Sequence, residues 1–150
     1  MSGNGNGNGN GKILGIDYGE ARTGLALSDY TGLIATPLTV LTDRNMDWLV
    51  KRIGEVVTEH EVVGIVVGNP LNMDGTVGEK SLKCETLAVK LRDTFSAVQV
   101  KMFDERLSTV EAHEIRRSNA SNKKKRSQNI DAVAAAVILQ SYLEQRQNNI

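Results

Sequence analysis

The chain reads as an α/β protein with a five-stranded mixed sheet flanked by helices. Three observations predict this. Two short apolar runs, ILGID and GLALS, are separated by a tight glycine-containing turn, as in a hairpin. Residues 62–68, VVGIVVG, form a continuous β-branched run, the pattern of a strand buried on both faces of a parallel sheet. Around and beyond that run, apolar residues return at helical spacing.

The elements follow in order. Residues 12–18 read as the first strand and 22–28 as its hairpin partner. Residues 33–41 read as a third strand, with Pro37 suited to an edge or a bulge. Met46, Leu49, Val50, Ile53, Val57 and His60 then fall on one helical face, with Asn45 or Asp43 as the cap. The run at 62–68 supplies the fourth strand. The loop NPLNMDGTVG, residues 69–78, carries turn chemistry at Asp74-Gly75. Cys84, Leu87, Ala88, Leu91 and Phe95 mark a second helix, and residues 97–104 the fifth strand. Ser108 to Glu111 has the pattern of a capping box opening a third helix. A final helix is expected from about Ile130 to Gln145. Three antiparallel strands followed by βαβ units give a mixed sheet.

The first eleven residues, MSGNGNGNGNG, have nothing to bury and read as a disordered leader or an engineered linker. The folded domain is expected over residues 12–146, with 147–150 as a flexible tail. No apolar run approaches the ~20 residues that span a bilayer, and no signal peptide follows the start, so a soluble, cytoplasmic protein is expected. One cysteine, Cys84, excludes an internal disulfide and a cysteine-rich metal site. His60 and His113 are too few for a histidine-built zinc site without carboxylates. Any metal should therefore be held by oxygen.

With 18 basic and 18 acidic residues, global charge gives no sign of nucleic acid. The local distribution does. RRSNASNKKKR, residues 116–126, holds six basic residues and no acidic one. A solvated loop is one reading of this run; contact with a phosphate backbone, by Lys123, Lys124, Lys125 and Arg126, is the other.

Three acidic residues stand where elements begin or end. Asp17 closes the first strand, Glu105 follows the fifth, and Asp131 opens the expected final helix. Brought together, three carboxylates make a site for Mg²⁺ or Mn²⁺, ions that drive phosphodiester hydrolysis. Each also has a plain structural reading. Asp17 can begin a turn, Asp131 can complement a helix dipole, and Glu105 can pair with Arg106 or Lys101. Spacing does not choose between Glu105 and Asp104. Gly19 either permits the turn or lets a phosphate approach the backbone. Asn72 and Thr76 either hold a phosphate at the start of the second helix or brace a connecting loop.

LGIDYGEARTGLALSD, VVGNPLNMDGTVG, DERLSTVEA and DAVAAAVILQSYL occur in that order. Together they resemble the YqgF family, also called RuvX, of bacterial RNase H-like nucleases, from about Lys12 to Gln145. The resemblance implies an RNase H-like fold and metal-dependent hydrolysis at the 5′ end of pre-16S rRNA. The alternative, from likeness to RuvC, is cleavage of Holliday junctions. By motif position it assigns Asp17, Glu105 and Asp131 as catalytic, metal-binding residues and so selects Glu105 over Asp104. Substrate contacts are expected at Gly19, Asn72, Thr76, Arg106 and the basic run. One departure is visible: the family commonly reads GLPLNMDG, and here Asn69 replaces the leucine, which bears on loop packing or substrate fit.

GIDYG also resembles the phosphate loop of actin-like ATPases. Those bind nucleotide between two such domains, and about 135 folded residues supply one. A non-catalytic nucleic-acid module in ribosome assembly would need the basic run and not the acidic trio. A monomer and a homodimer are both compatible with the sequence.

Overall fold

The computed structural model describes residues 11–108 and 123–148, the stretch 123–129 as backbone alone. The elements are β1 (Lys12–Asp17), β2 (Thr23–Ser28), β3 (Ala35–Leu41), α1 (Met46–His60), β4 (Val62–Asn69), α2 (Glu79–Thr94), β5 (Gln99–Asp104), a 3₁₀ turn (Glu105–Leu107) and α3 (Lys123–Asn148). They form one sheet in the order β3-β2-β1-β4-β5. β1 pairs antiparallel with β2, and β2 with β3; β1–β4 and β4–β5 are parallel. This is the expected mixed sheet.

Side-chain alternation splits the core into two layers. Leu14, Ile16, Leu25, Ile65 and Val67 face α1 and α2, meeting Leu49, Ile53, Leu87 and Leu91. Ile13, Ala26, Val66 and Phe103 face α3, meeting Ala135, Ala136, Ile138 and Leu139. Pro37 sits on edge strand β3, where the register shifts opposite Leu25 and Ala26. A proline is tolerated there because edge strand and bulge both relax the need for its missing N–H. Asn45 is the α1 cap, its side chain accepting from the N–H groups of Asp47 and Trp48 at 2.9 and 3.2 Å.

Strand ends shift by one or two residues, β3 beginning at Ala35 rather than at 33 and β5 at Gln99 rather than at 97, and three further differences bear on the helix and the domain limits. The last helix starts at Lys123, not near Ile130. Lys, Arg and Gln are good helix formers, so the basic run carries a helix without any apolar periodicity to announce it. The same helix runs to Asn148, taking in two residues of the expected tail. Gly11, counted with the leader, is buried and donates its N–H to the Tyr30 carbonyl at 2.9 Å. The rest of the leader, most of the capping box and the helix expected after it lie outside the described residues. Among the described residues no helix is long and apolar enough to cross a membrane.

Candidate active site

Because β1, β4 and β5 are parallel, their C-terminal ends share one rim of the sheet, the rim where α/β proteins gather functional groups. Asp17 ends β1 at that rim. It alternates with Ile13 and Gly15, so it lies on the α3 side, whereas Tyr18 packs into the α1–α2 layer. Its antiparallel partner is Gly24. A Cβ on Gly24 would lie 1.8 Å from the Asp131 carbonyl oxygen. The α3 backbone therefore rests directly on β2, and only glycine permits it. That contact carries Asp131 to the strand beside Asp17.

Glu105 arrives from the other side. It begins the 3₁₀ turn after β5, and its Oε2 lies over Gly68 of β4, 2.8 Å from where a Cβ would be. Burial, then the Asp17 charge, push its carboxyl above the ordinary glutamate range, with Lys80 opposing. Asp104 is used differently. Arg106 grips it through Nε and Nη2, at 3.1 and 2.7 Å, and holds its carboxyl below the usual range. Geometry thus separates two adjacent carboxylates that spacing leaves equivalent. Arg106 pairs with Asp104 and not with Glu105.

Asp131 is the ninth residue of α3, so it does not open the helix, and a first-turn dipole role no longer applies. Its Oδ2 lies 2.9 Å from Arg22 Nε. Among the described residues no three Asp, Glu, His or Cys side chains come together closely enough to hold one ion. The expected trio thus shares a rim and one face of the sheet without closing. Like charges at one rim disfavour one another, and the Arg22 guanidinium is the partner that Asp131 takes. Asp17 and Glu105 are hard oxygen donors of like charge, and that donor set fits a divalent cation.

The remaining expected contacts are placed as follows. Gly19 makes the β1–β2 turn tight: a Cβ there would lie 2.4 Å from the Arg22 carbonyl oxygen, and its own carbonyl accepts from Thr23 Oγ1 at 3.2 Å. Asn72 Nδ2 donates to Thr76 Oγ1 at 2.9 Å, and that hydroxyl donates to Asp74 at 2.7 Å. These two side chains brace the loop itself. Arg106 adds Nη1 to the Met73 carbonyl at 3.3 Å. Lys123, Lys124, Lys125 and Arg126 lie in the first turns of α3, on the same helix as Asp131.

Asn69 has a local task. Its Oδ1 accepts from the Ser81 hydroxyl at 2.5 Å, tying the end of β4 to the first turn of α2. Two lysines escaped the sequence reading. Lys80 and Lys83, with Tyr18, Gly19, Glu20 and Glu79, line a cleft of about 280 Å³ beside the rim. Their position in the α2 first turns, directly after a glycine-rich loop, was the available signal.

Comparison with known proteins adds to this geometry. A family profile described as RuvX, Holliday junction resolvase, matches residues 11–145. A protein of Geobacillus kaustophilus is 43% identical over 138 residues, covering 90% of this chain and 99% of its own. One of Lachnospira eligens is 38% identical over 139 residues, covering 91% and 99%. Both are named, provisionally, as pre-16S rRNA nucleases. Among solved structures, Thermus thermophilus RuvC in complex with Holliday junction substrate aligns with a TM-score of 0.56 at 15% identity, covering 91% of this chain and 95% of that one. The yeast mitochondrial Holliday junction resolvase Ydc2 aligns at 0.57 and 12% identity, covering 92% and 80%. At such identities the likeness establishes a shared RNase H-like fold.

Proposed function

The chain belongs to the RuvX family of nucleases, and from that premise we propose a metal-dependent endonuclease that trims the 5′ end of pre-16S rRNA. Asp17, Glu105 and Asp131 are its catalytic carboxylates. One observation carries this reading: three elements distant in sequence deliver these residues to one rim on the α3 face, through Gly24 and Gly68, where larger residues would not fit.

Asp17 and Glu105 would hold Mg²⁺ or Mn²⁺, and Asp131 would complete the set on leaving Arg22. When bound, the ion supplies Lewis acidity and an activated water for attack on phosphorus. The chain's own residues do the rest. The tight Gly19 turn holds Arg22 close beside the end of β1. A nearby cation would favour the ionised form of Glu105, against the burial and the Asp17 charge that raise its carboxyl. Lys80 and the basic start of α3 favour a polyanion beside the carboxylates. Asn72, Thr76 and Arg106 act by shaping the loop that borders the substrate path. A cytoplasmic location accords with this role.

The second reading, cleavage of branched DNA, is favoured by the family description and by the resolvase structures sharing the fold. Purified protein with Mg²⁺ or Mn²⁺ should be given matched pre-16S RNA and four-way DNA junctions, with Asp17→Asn alongside. Cleavage of the RNA by wild type and none by the variant is the expected result. Equal cleavage by both removes the catalytic assignment. Junction cleavage alone selects the resolvase, and no cleavage of either substrate selects a non-catalytic binding module.

A further inference from the structure

The Arg22–Asp131 pair lies outside the role assigned above to either residue's neighbours. Arg22 is the last residue of the β1–β2 turn, directly before β2. The close packing of Gly19 against the Arg22 carbonyl fixes where that residue stands, and the Thr23 hydroxyl bond back to Gly19 closes the turn. Two residues on, Gly24 carries the α3 backbone at Asp131. The guanidinium therefore needs only to reach across the start of β2 to meet the carboxylate at 2.9 Å. Arg22 remains 59% exposed and Asp131 26%, so the pair can part without uncovering the core.

We propose that Arg22 is a built-in competitor for the metal site, holding Asp131 to itself in the metal-free protein and yielding it when a divalent cation recruits that carboxylate. The inference rests on Asp131 being a metal ligand, as read above. A guanidinium and a divalent ion seek the same oxygen, and both cannot hold it in one geometry. The free energy of the ion pair is then subtracted from metal binding. Arg22 acts through Asp131, as a positioning residue, and sets how much metal the site requires. It also offsets the repulsion of a third carboxylate at a rim that already contains Asp17 and Glu105.

The test is Mn²⁺ binding by titration calorimetry to wild type, Arg22→Gln, Arg22→Lys, Asp131→Asn and the Arg22→Gln/Asp131→Asn double variant. Thermal melting verifies that each variant is folded. Arg22→Gln should bind Mn²⁺ about three- to fivefold more tightly, the release expected from an exposed ion pair. Arg22→Lys, which keeps the charge, should stay near wild type. Asp131→Asn should bind more weakly, and adding Arg22→Gln to it should change nothing further. Equal tightening with and without Asp131 would mean that Arg22 acts as a diffuse charge, which overturns the proposal and leaves the site reading intact. Unchanged affinity in Arg22→Gln, with weakened binding in Asp131→Asn, overturns it in the same way. Wild-type affinity in Asp131→Asn, or no Mn²⁺ binding by wild type, removes the site reading and the proposal together.

Discussion

Glu105 shows how one carboxylate is tuned by its surroundings. In the folded chain it holds its proton to higher pH than in the unfolded chain, because burial and Asp17 both oppose its charge. Stability must then fall as pH rises from the ordinary glutamate range through the raised folded value. In metal-free protein, Glu105→Gln should melt above wild type at pH 7, and that difference should shrink as pH falls through the ordinary glutamate range and the carboxyl takes up its proton. A difference that stays the same across that range would contradict this. Asn69 makes a second case. Replacement by leucine, the family's common residue, strands the fully buried Ser81 hydroxyl. The expected loss is about 1–3 kcal/mol, read by urea unfolding. The sequence marked Asn69 as a departure, but its partner Ser81 lies in the next helix, and nothing local pairs them. The same holds for Arg22 and Asp131, where only the docked helix creates the contact.

Strands and helices with an apolar rhythm were legible in the sequence. VVGIVVG became β4, and the helical face from Met46 to His60 became α1, with Asn45 rather than Asp43 as its cap. The start of α3 was not legible, since KKKRSQN, residues 123–129, holds no apolar residue to set a helical rhythm, although Lys, Arg and Gln are good helix formers. Moving the helix start also moved Asp131 from its end to its interior. Alanines 132, 135 and 136 are fully or nearly fully buried against the sheet, as small residues at a close helix–sheet approach should be. That approach depends on Gly24. Gly24→Ala places a methyl against the Asp131 peptide, a backbone group that cannot swing aside. It should cost at least the ~1–3 kcal/mol of an overpacked core, and it should lower metal affinity by shifting α3. Denaturant unfolding with parallel Mn²⁺ titration measures both. Gly15→Ala, which meets the Leu139 Cβ at 2.7 Å and the Ala135 carbonyl oxygen at 3.2 Å, should be milder only because the overlap is smaller; both atoms are fixed to the α3 backbone, so the helix must shift there too.

Across the whole molecule, 18 positive and 18 negative charges cancel, so attraction to a polyanion must come from where charge sits. Four basic residues head the helix that carries Asp131. Neutralising Lys123, Lys124, Lys125 and Arg126 should weaken RNA binding and flatten its dependence on salt. The log–log slope should fall by up to about 0.7–0.9 for each phosphate that the protein no longer neutralises. An unchanged slope in filter-binding titrations would leave that run a solvated helix end. The lone thiol has a different use. Cys84 is buried between α2 and the sheet, and burial pushes it up to about 11, with Glu105 and Asp17 adding to the shift. In the native state it should be almost inert to alkylating reagents. Its labelling rate therefore clocks how often the central layer opens. That layer backs the carboxylate rim, so a cation seated on Asp17 and Glu105 should slow the clock, giving a readout of occupancy that needs neither substrate nor cleavage.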